Sequence, residues 1–250
     1  MRPTPIVLAA LALGTTVARA QKPEDTEVWT PVPRIVTPGQ ITSAAPSDAV
    51  VLFDGRSLDE WVATNGGPAR WTVTDGALVV NKPTGDIETK RHFGAYQLHV
   101  EWRIPTNVSG SGQLRGNSGV FLAVAPDVGY ELQIMDSYHN DTYVNGQAAS
   151  VYKQYAPLVN AATPPGEWQT YDVVWHPPTF RANGTVATPG TITAFHNGVL
   201  VQNHFEVKGT TMYIGAPKYT PHGATPIKLQ AHGDPSPPIS FRNIWIRELP

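Results

Sequence analysis

The chain of 250 residues contains no cysteine. Disulfides, zinc–thiolate sites and thiol nucleophiles are therefore excluded, and any domain it forms must rest on its core alone. Long apolar runs are missing too. Beyond an N-terminal stretch of eight residues, Ile6 to Leu13, nothing approaches the ~20 apolar residues that cross a bilayer as a helix. Charge is sparse at 15% Asp, Glu, Lys and Arg, and neither sign dominates, so nothing points to nucleic acid as a partner. The eight histidines are scattered, with no H-E-x-x-H pattern, and a zinc site is not expected. A divalent cation such as structural Ca²⁺, held by loop carboxylates and carbonyls, remains compatible with the sequence.

What is present begins with MRPTPIVLAALALGTTVARA, which has an early Arg2, a short apolar stretch and Ala18-Arg19-Ala20 before Gln21. That is the layout of a secretory signal peptide over residues 1–20, cleaved after Ala20. Loss of Arg2 and Arg19 leaves 16 basic against 20 acidic residues, a net charge of −4. The expectation is an exported, soluble protein, periplasmic or extracellular. Residues 21–48 carry five prolines and no apolar period, and read as an extended leader or linker in which Trp29 and Ile35 could serve as anchors.

From residue 49 to 250 the chain reads as one all-β domain. Trp71–Thr74, Asp75-Gly76 and Ala77–Val80 form a hairpin signal of the type I′ kind, and Ile192–His196, Asn197-Gly198 and Val199–Val201 form another. AYQLHVEWRI alternates, with Tyr96, Leu98, Val100, Trp102 and Ile104 on one face and Gln97, His99, Glu101 and Arg103 on the other. Further strands are expected at 119–124, 129–135, 169–176, 226–232 and 239–248. AVVLFD at one end of the domain and ISFRNIWIREL at the other could pair. Many short strands and no capped helical period predict a β-sandwich or barrel.

Two stretches place polar groups among apolar ones. In YELQIMD, Glu131 and Gln133 share a strand face while Leu132 and Ile134 turn to the core. Strict alternation would bury Asp136, so the strand either ends by Met135 or bulges to bring Asp136 onto the Glu131 face. In IKLQAH, Ile227, Leu229 and Ala231 face the core and Lys228, Gln230 and His232 face away. Carboxylates, amides and an imidazole on polar strand faces suit a ligand rich in hydroxyls, because an amide donates and accepts at once. A solvated sheet face with cross-strand pairs is the plainer alternative. RGNSG lacks the dinucleotide fingerprint and the G-x-S-x-G elbow, but leaves Arg115 and Asn117 as candidate ligand donors. Lys153 is a candidate for oxyanion stabilisation, and some of Tyr138, Tyr143, Tyr152 and Tyr155 are candidates for sugar stacking.

Nine stretches in order, LFDGRSLDEW, WTVTDGALVV, FGAYQLHVEWRI, RGNSGVFL, YELQIMD, GEWQTYDVVW, HNGVLV, IKLQAHGD and FRNIWI, resemble the 3-keto-disaccharide hydrolase domain family from about Val50 to Leu249. PTFRANGTVATPG looks like a lengthened hairpin, and the leader lies outside the match. The resemblance implies a concanavalin A-like jelly-roll sandwich whose concave sheet carries the site, and activity on sugars oxidised at C3. A C3 ketone acidifies the C2 hydrogen, so a base at C2 and an acid at the leaving oxygen would expel the C1 group. His232 or Glu131 would be the base, with Asp136 assisting the leaving group or positioning the sugar; Arg115, Asn117, Gln133, Gln230 and Lys153 would hold hydroxyls or the enolate. Two other readings stand beside it: a laminarinase-like retaining glycosidase, from the spacing Glu131-x-Gln133-x-x-Asp136, and a non-catalytic sugar-binding module.

Overall fold

A computed structural model describes residues 40–124 and 129–250. The expected signal peptide and the leader as far as residue 39, with Trp29 and Ile35, lie outside the described residues. Both I′ turns form, because Asp75-Gly76 and Asn197-Gly198 take positive φ at both central positions (52° and 72°, 52° and 77°). The first closes β3 (Thr72–Thr74) on β4 (Ala77–Val79), and the second closes β12 (Thr191–His196) on β13 (Val199–Glu206). The remaining strands of that sheet are β1 (Val50–Phe53), β6 (Tyr96–Arg103), β9 (Trp168–His176) and β15 (Ser240–Glu248). Their order is β13-β12-β9-β6-β15-β4-β3, with β1 also paired to β15, so the two ends of the domain meet as expected.

The second sheet has five strands ordered β2-β5-β14-β7-β8. They are β2 (Trp61–Ala63), β5 (Ile87–Thr89), β7 (Ser118–Phe121), β8 (Glu131–Ile134) and the two-residue β14 (Lys228–Leu229). Segment 178–190 holds a separate hairpin, β10 (Thr179–Phe180) with β11 (Val186–Thr188). The described elements are strands and short 3-10 turns, arranged as a jelly-roll β-sandwich. Among the described residues, no helix is long and apolar enough to cross a membrane.

The core lies between the sheets. Leu98, Trp102, Tyr171 and Ile246 come from the large one, and Ile87, Val120, Leu132 and Leu229 from the small one. Two tyrosines bind the layers: Tyr96 donates to the Leu122 carbonyl, and Tyr171 donates to the Gln133 carbonyl at 2.7 Å. The polar face of β6 is covered at two positions, with His99 at 1% and Glu101 at 6% exposure. Trp245 stacks on the His99 ring at 5.3 Å, and the Ser43 carbonyl accepts from both Asn243 and Trp245. His99 pairs with Asp172 at 2.7 Å, and Arg242 pairs with Glu101 at 2.6 Å. Burial disfavours the His99 cation, yet the hydrogen bonds it donates to Asp172 and Glu101 raise its pKa to about 9. Alternation separates the faces, but partners from residues 40–48 and β15 bury His99 and Glu101 at its centre.

Candidate functional site

The register of the small sheet assembles the site row by row. Phe121 lies opposite Glu131 and beside Lys228, and Gly119 lies opposite Gln133 while its carbonyl accepts from the Gln230 amide at 3.0 Å. Alternate residues of three strands thus present one face, which lines a cavity of about 490 Å³. Asn117, Glu131, Gln133, Gln230 and His232 supply its polar side, with Phe121 among them. Tyr152 and the segment Thr211–Ile214 supply the rest. Glu131 and His232 therefore open onto one hollow, although about a hundred residues separate them in the chain.

Glu131 reaches into the gap left by Gly119. A Cβ built on Gly119 would lie 2.5 Å from Glu131 Oε1 and 3.1 Å from both Cγ and Cδ. Gly119→Ala is therefore expected to displace the carboxyl, lowering sugar turnover by more than tenfold and stability by about 1–3 kcal/mol. Parallel kinetics and thermal melts check this, and a variant with full activity would refute the packing argument. Burial raises the Glu131 pKa to about 8; Lys228 opposes the rise and Asp86 adds to it. The group is thus largely a neutral acid at pH 7. In the orientation that suits its neighbours, the Gln133 amide donates to Glu131 Oε1 at 3.1 Å and to the Ser118 carbonyl at 2.9 Å.

His232 is positioned by its own loop. Its Nδ1 lies 3.2 Å from Asp234 Oδ2 and 3.2 Å from the Asp234 amide. Nδ1 meets the two Asp234 groups by tautomer: bare, it accepts from the Asp234 amide, and protonated, it donates to the carboxylate and leaves Nε2 with the lone pair. Burial works against the Asp234 charge, but hydrogen bonds from His232, Ser236 and Lys82 lower its pKa to about 2. Lys82 Nζ also donates to the Asp234 and Ser236 carbonyls, at 2.8 and 2.7 Å. Gln230 Oε1 is buried without a hydrogen-bond partner among the described residues, an arrangement worth about 1–3 kcal/mol to any ligand hydroxyl that satisfies it.

Three expected residues lie elsewhere. Strand β8 ends at Ile134 with no bulge against β7, and Asp136 turns away from Glu131. Its Oδ2 pairs with Arg115 Nε at 2.6 Å and its Oδ1 accepts from the Tyr138 amide, so Asp136 and Arg115 fasten each other rather than line the cavity. A buried carboxylate needs a cation more than it needs a place on the polar face. Lys153 donates to the Tyr213 carbonyl at 2.6 Å, which commits it to the cavity rim. Asn117 lines the cavity, but its Nδ2 already donates to the Gln113 carbonyl at 2.8 Å. Of the four tyrosines, Tyr152 alone lines the hollow among the described residues; Tyr155 stacks on Phe205 instead. Among the described residues there is no group of three or more His, Asp or Glu side chains that could hold a metal ion.

Gly119, Asp234 and the run Met212–Ile214 are site residues that are not among those expected from the sequence. Asp234 had a legible signal, since a carboxylate two residues after a histidine can return to its ring. The loop 211–214 had none, because nothing local ties it to β8.

A solved structure from Parabacteroides distasonis, described as a proposed glycosyl hydrolase, is 52% identical. It covers 91% of this chain and 97% of its own, with a TM-score of 0.86. A second structure from the same organism and with the same description is 21% identical over 81% of this chain and 94% of its own, with a TM-score of 0.60, a likeness of fold. No curated protein matches the chain. The family model described as the 3-keto-alpha-glucoside-1,2-lyase-like domain matches residues 48–247. Together with the cavity, these matches make the protein a carbohydrate-active enzyme of the glycosyl hydrolase or lyase type. The chain belongs to the 3-keto-alpha-glucoside-1,2-lyase-like domain family.

Proposed function

We propose that the protein cleaves 3-keto-glycosides by proton abstraction at C2 and elimination of the C1 substituent. The observation that carries this reading is the pairing, in one cavity, of an Asp-oriented imidazole with a carboxyl group held neutral by burial. His232 Nε2 takes the C2 proton, and the electron pair is delocalised into the C3 carbonyl as an enolate. That pair then forms the C1–C2 double bond as the bond from C1 to the leaving oxygen breaks. Glu131 delivers its proton to that oxygen. Water then adds across the double bond, returning a hydrogen to C2 and placing a hydroxyl on C1, for net hydrolysis. Gln230 holds ring hydroxyls or the enolate oxygen, and Gln133, whose amide nitrogen is given to Glu131 and Ser118, accepts from a ring hydroxyl.

The division of labour follows from environment. Glu131 and His232 are both candidate bases by residue type, but a carboxyl that is largely neutral at pH 7 suits the acid. Asp136, bound to Arg115, has no part in the transfer. The same placement counts against a retaining glycosidase, which needs two carboxylates about 5–5.5 Å apart across the scissile bond; among the described lining residues, Glu131 is the one carboxylate. The test is release of chromophore from a chromogenic 3-keto-glucoside and from its unoxidised parent, with and without chelator. Release from the keto compound alone is expected. Equal release from the parent would overturn the proposal.

A further inference from the structure

The cavity has two unlike sides. The sheet side carries Glu131, Gln133, Gln230 and His232, whereas the facing loop offers Met212, Tyr213 and Ile214 in succession. That loop is tied down. The Thr210 amide donates to the Lys218 carbonyl at 3.0 Å, the Thr211 amide to the Gly129 carbonyl at 2.7 Å, and Lys153 to the Tyr213 carbonyl. Yet Tyr213 and Ile214 remain 71% and 79% exposed. Large apolar side chains held in water beside a polar hollow mark a surface that a ligand covers.

The wall also has a fixed place relative to the reaction. The Glu131 amide donates to Thr211 Oγ1 at 3.0 Å, so the loop springs from beside the residue that protonates the leaving oxygen. Whatever departs with that oxygen lies against the wall. Among the described residues, its lining side chains carry no charge, although Lys153 Nζ lies 4.2 Å from the centre of the Tyr213 ring and covers one face of it, and two of its polar groups are already engaged, the Tyr213 carbonyl by Lys153 and the Thr211 hydroxyl by the Glu131 amide. A second sugar would set hydroxyls against Met212 and Ile214, which cannot replace the water those hydroxyls lose. An aromatic group instead finds a tyrosine ring, a thioether and a branched alkyl chain, all of which favour contact with a ring.

We infer that Met212, Tyr213 and Ile214 form the leaving-group subsite and select substrates with an apolar, aromatic aglycone over those with a second sugar. The inference rests on the proposed reaction, which sets the keto sugar on the sheet side. It makes the protein a consumer of 3-keto-glycosides of aromatic alcohols, so an oxidation at C3 of such glycosides must supply its substrate.

The test compares 2-phenylethyl 3-keto-glucoside with a 3-keto-disaccharide of the same anomeric configuration. Phenylethanol is the poorer leaving group of the two, so a preference for it cannot come from intrinsic reactivity. Dissociation constants are measured by calorimetry on Glu131→Gln, with and without Ile214→Ser, and product release is followed on wild type. Ile214 is mostly exposed, and a melt confirms that its substitution leaves the fold intact. The phenylethyl compound is expected to bind at least about tenfold more tightly, which needs only about 60 Å² of apolar contact. Ile214→Ser should cut that preference to about threefold or less. Equal or tighter binding of the disaccharide, or a preference indifferent to Ile214→Ser, would overturn the inference. If the affinity order holds but wild type releases product from neither compound, the subsite stands and the proposed reaction falls.

Discussion

His232→Ala is expected to lower kcat/KM on a 3-keto-glucoside by about 10²–10⁴, the usual contribution of a positioned general base. The fold should be little affected, because His232 contacts the rest of the molecule chiefly through Asp234, and Asp234 keeps its bonds from Lys82 and Ser236. Added imidazole should restore part of the rate, since the lost side chain leaves room at the Asp234 carboxylate. That rescue separates proton transfer from a structural role, which a small molecule does not replace. A variant retaining wild-type turnover would remove His232 from the mechanism. If sugar binding also survived in the absence of any turnover by wild type, the chain would be a sugar-binding module.

The second large effect concerns Glu131→Gln, which keeps the size of the side chain and removes its proton. We expect kcat to fall by about 10²–10³, with a change in the pH profile that loss of packing alone would not give. In wild type, activity should fall as pH rises through about 8, where Glu131 loses the proton it must donate. In the variant, that alkaline limb should vanish. Stability supplies an independent check. The folded pKa of Glu131 lies above its ordinary 4.5, so the native state holds the proton more tightly than the unfolded chain does. Its contribution to stability is complete below about 4.5 and is lost as pH rises through about 8. Glu131→Gln should therefore match wild type in thermal melts at pH 4, and exceed it above pH 8 by on the order of a few kcal/mol. A variant less stable than wild type at pH 9 would mean that Glu131 is ionised and paired in the folded protein.

Several elements could be read from short-range chemistry. Asp75-Gly76 and Asn197-Gly198 dictate their turns because the local backbone alone requires positive φ there. The alternation in YELQIMD put Glu131 and Gln133 on one face, and the structure shows both on the cavity wall. IKLQAH forms only the two-residue ladder Lys228–Leu229, yet Gln230 and His232 still reach the same wall. Side-chain direction persists where the ladder of hydrogen bonds stops.

Other features depend on partners that no local pattern names. Asp136 looked like a third member of the polar face, but Arg115, 21 positions away, captures it at 2.6 Å. His99 and Glu101 alternate as though solvated, and are buried by Trp245 and by the chain around Ser43, roughly 140 and 60 residues distant.

The all-β character, both hairpin turns, the pairing of the domain's two ends and the polar faces that carry Glu131, Gln133, Gln230 and His232 are legible in the sequence. These follow from period, turn chemistry and side-chain alternation, which act over a few residues. It takes the folded arrangement to bury Glu131 and raise its pKa, to set Asp234 against the His232 ring, and to bring an apolar loop over the polar floor. Each depends on what lies across a gap in space, and a proton's affinity for a carboxyl is set by the groups and the water around it, wherever in the chain they originate.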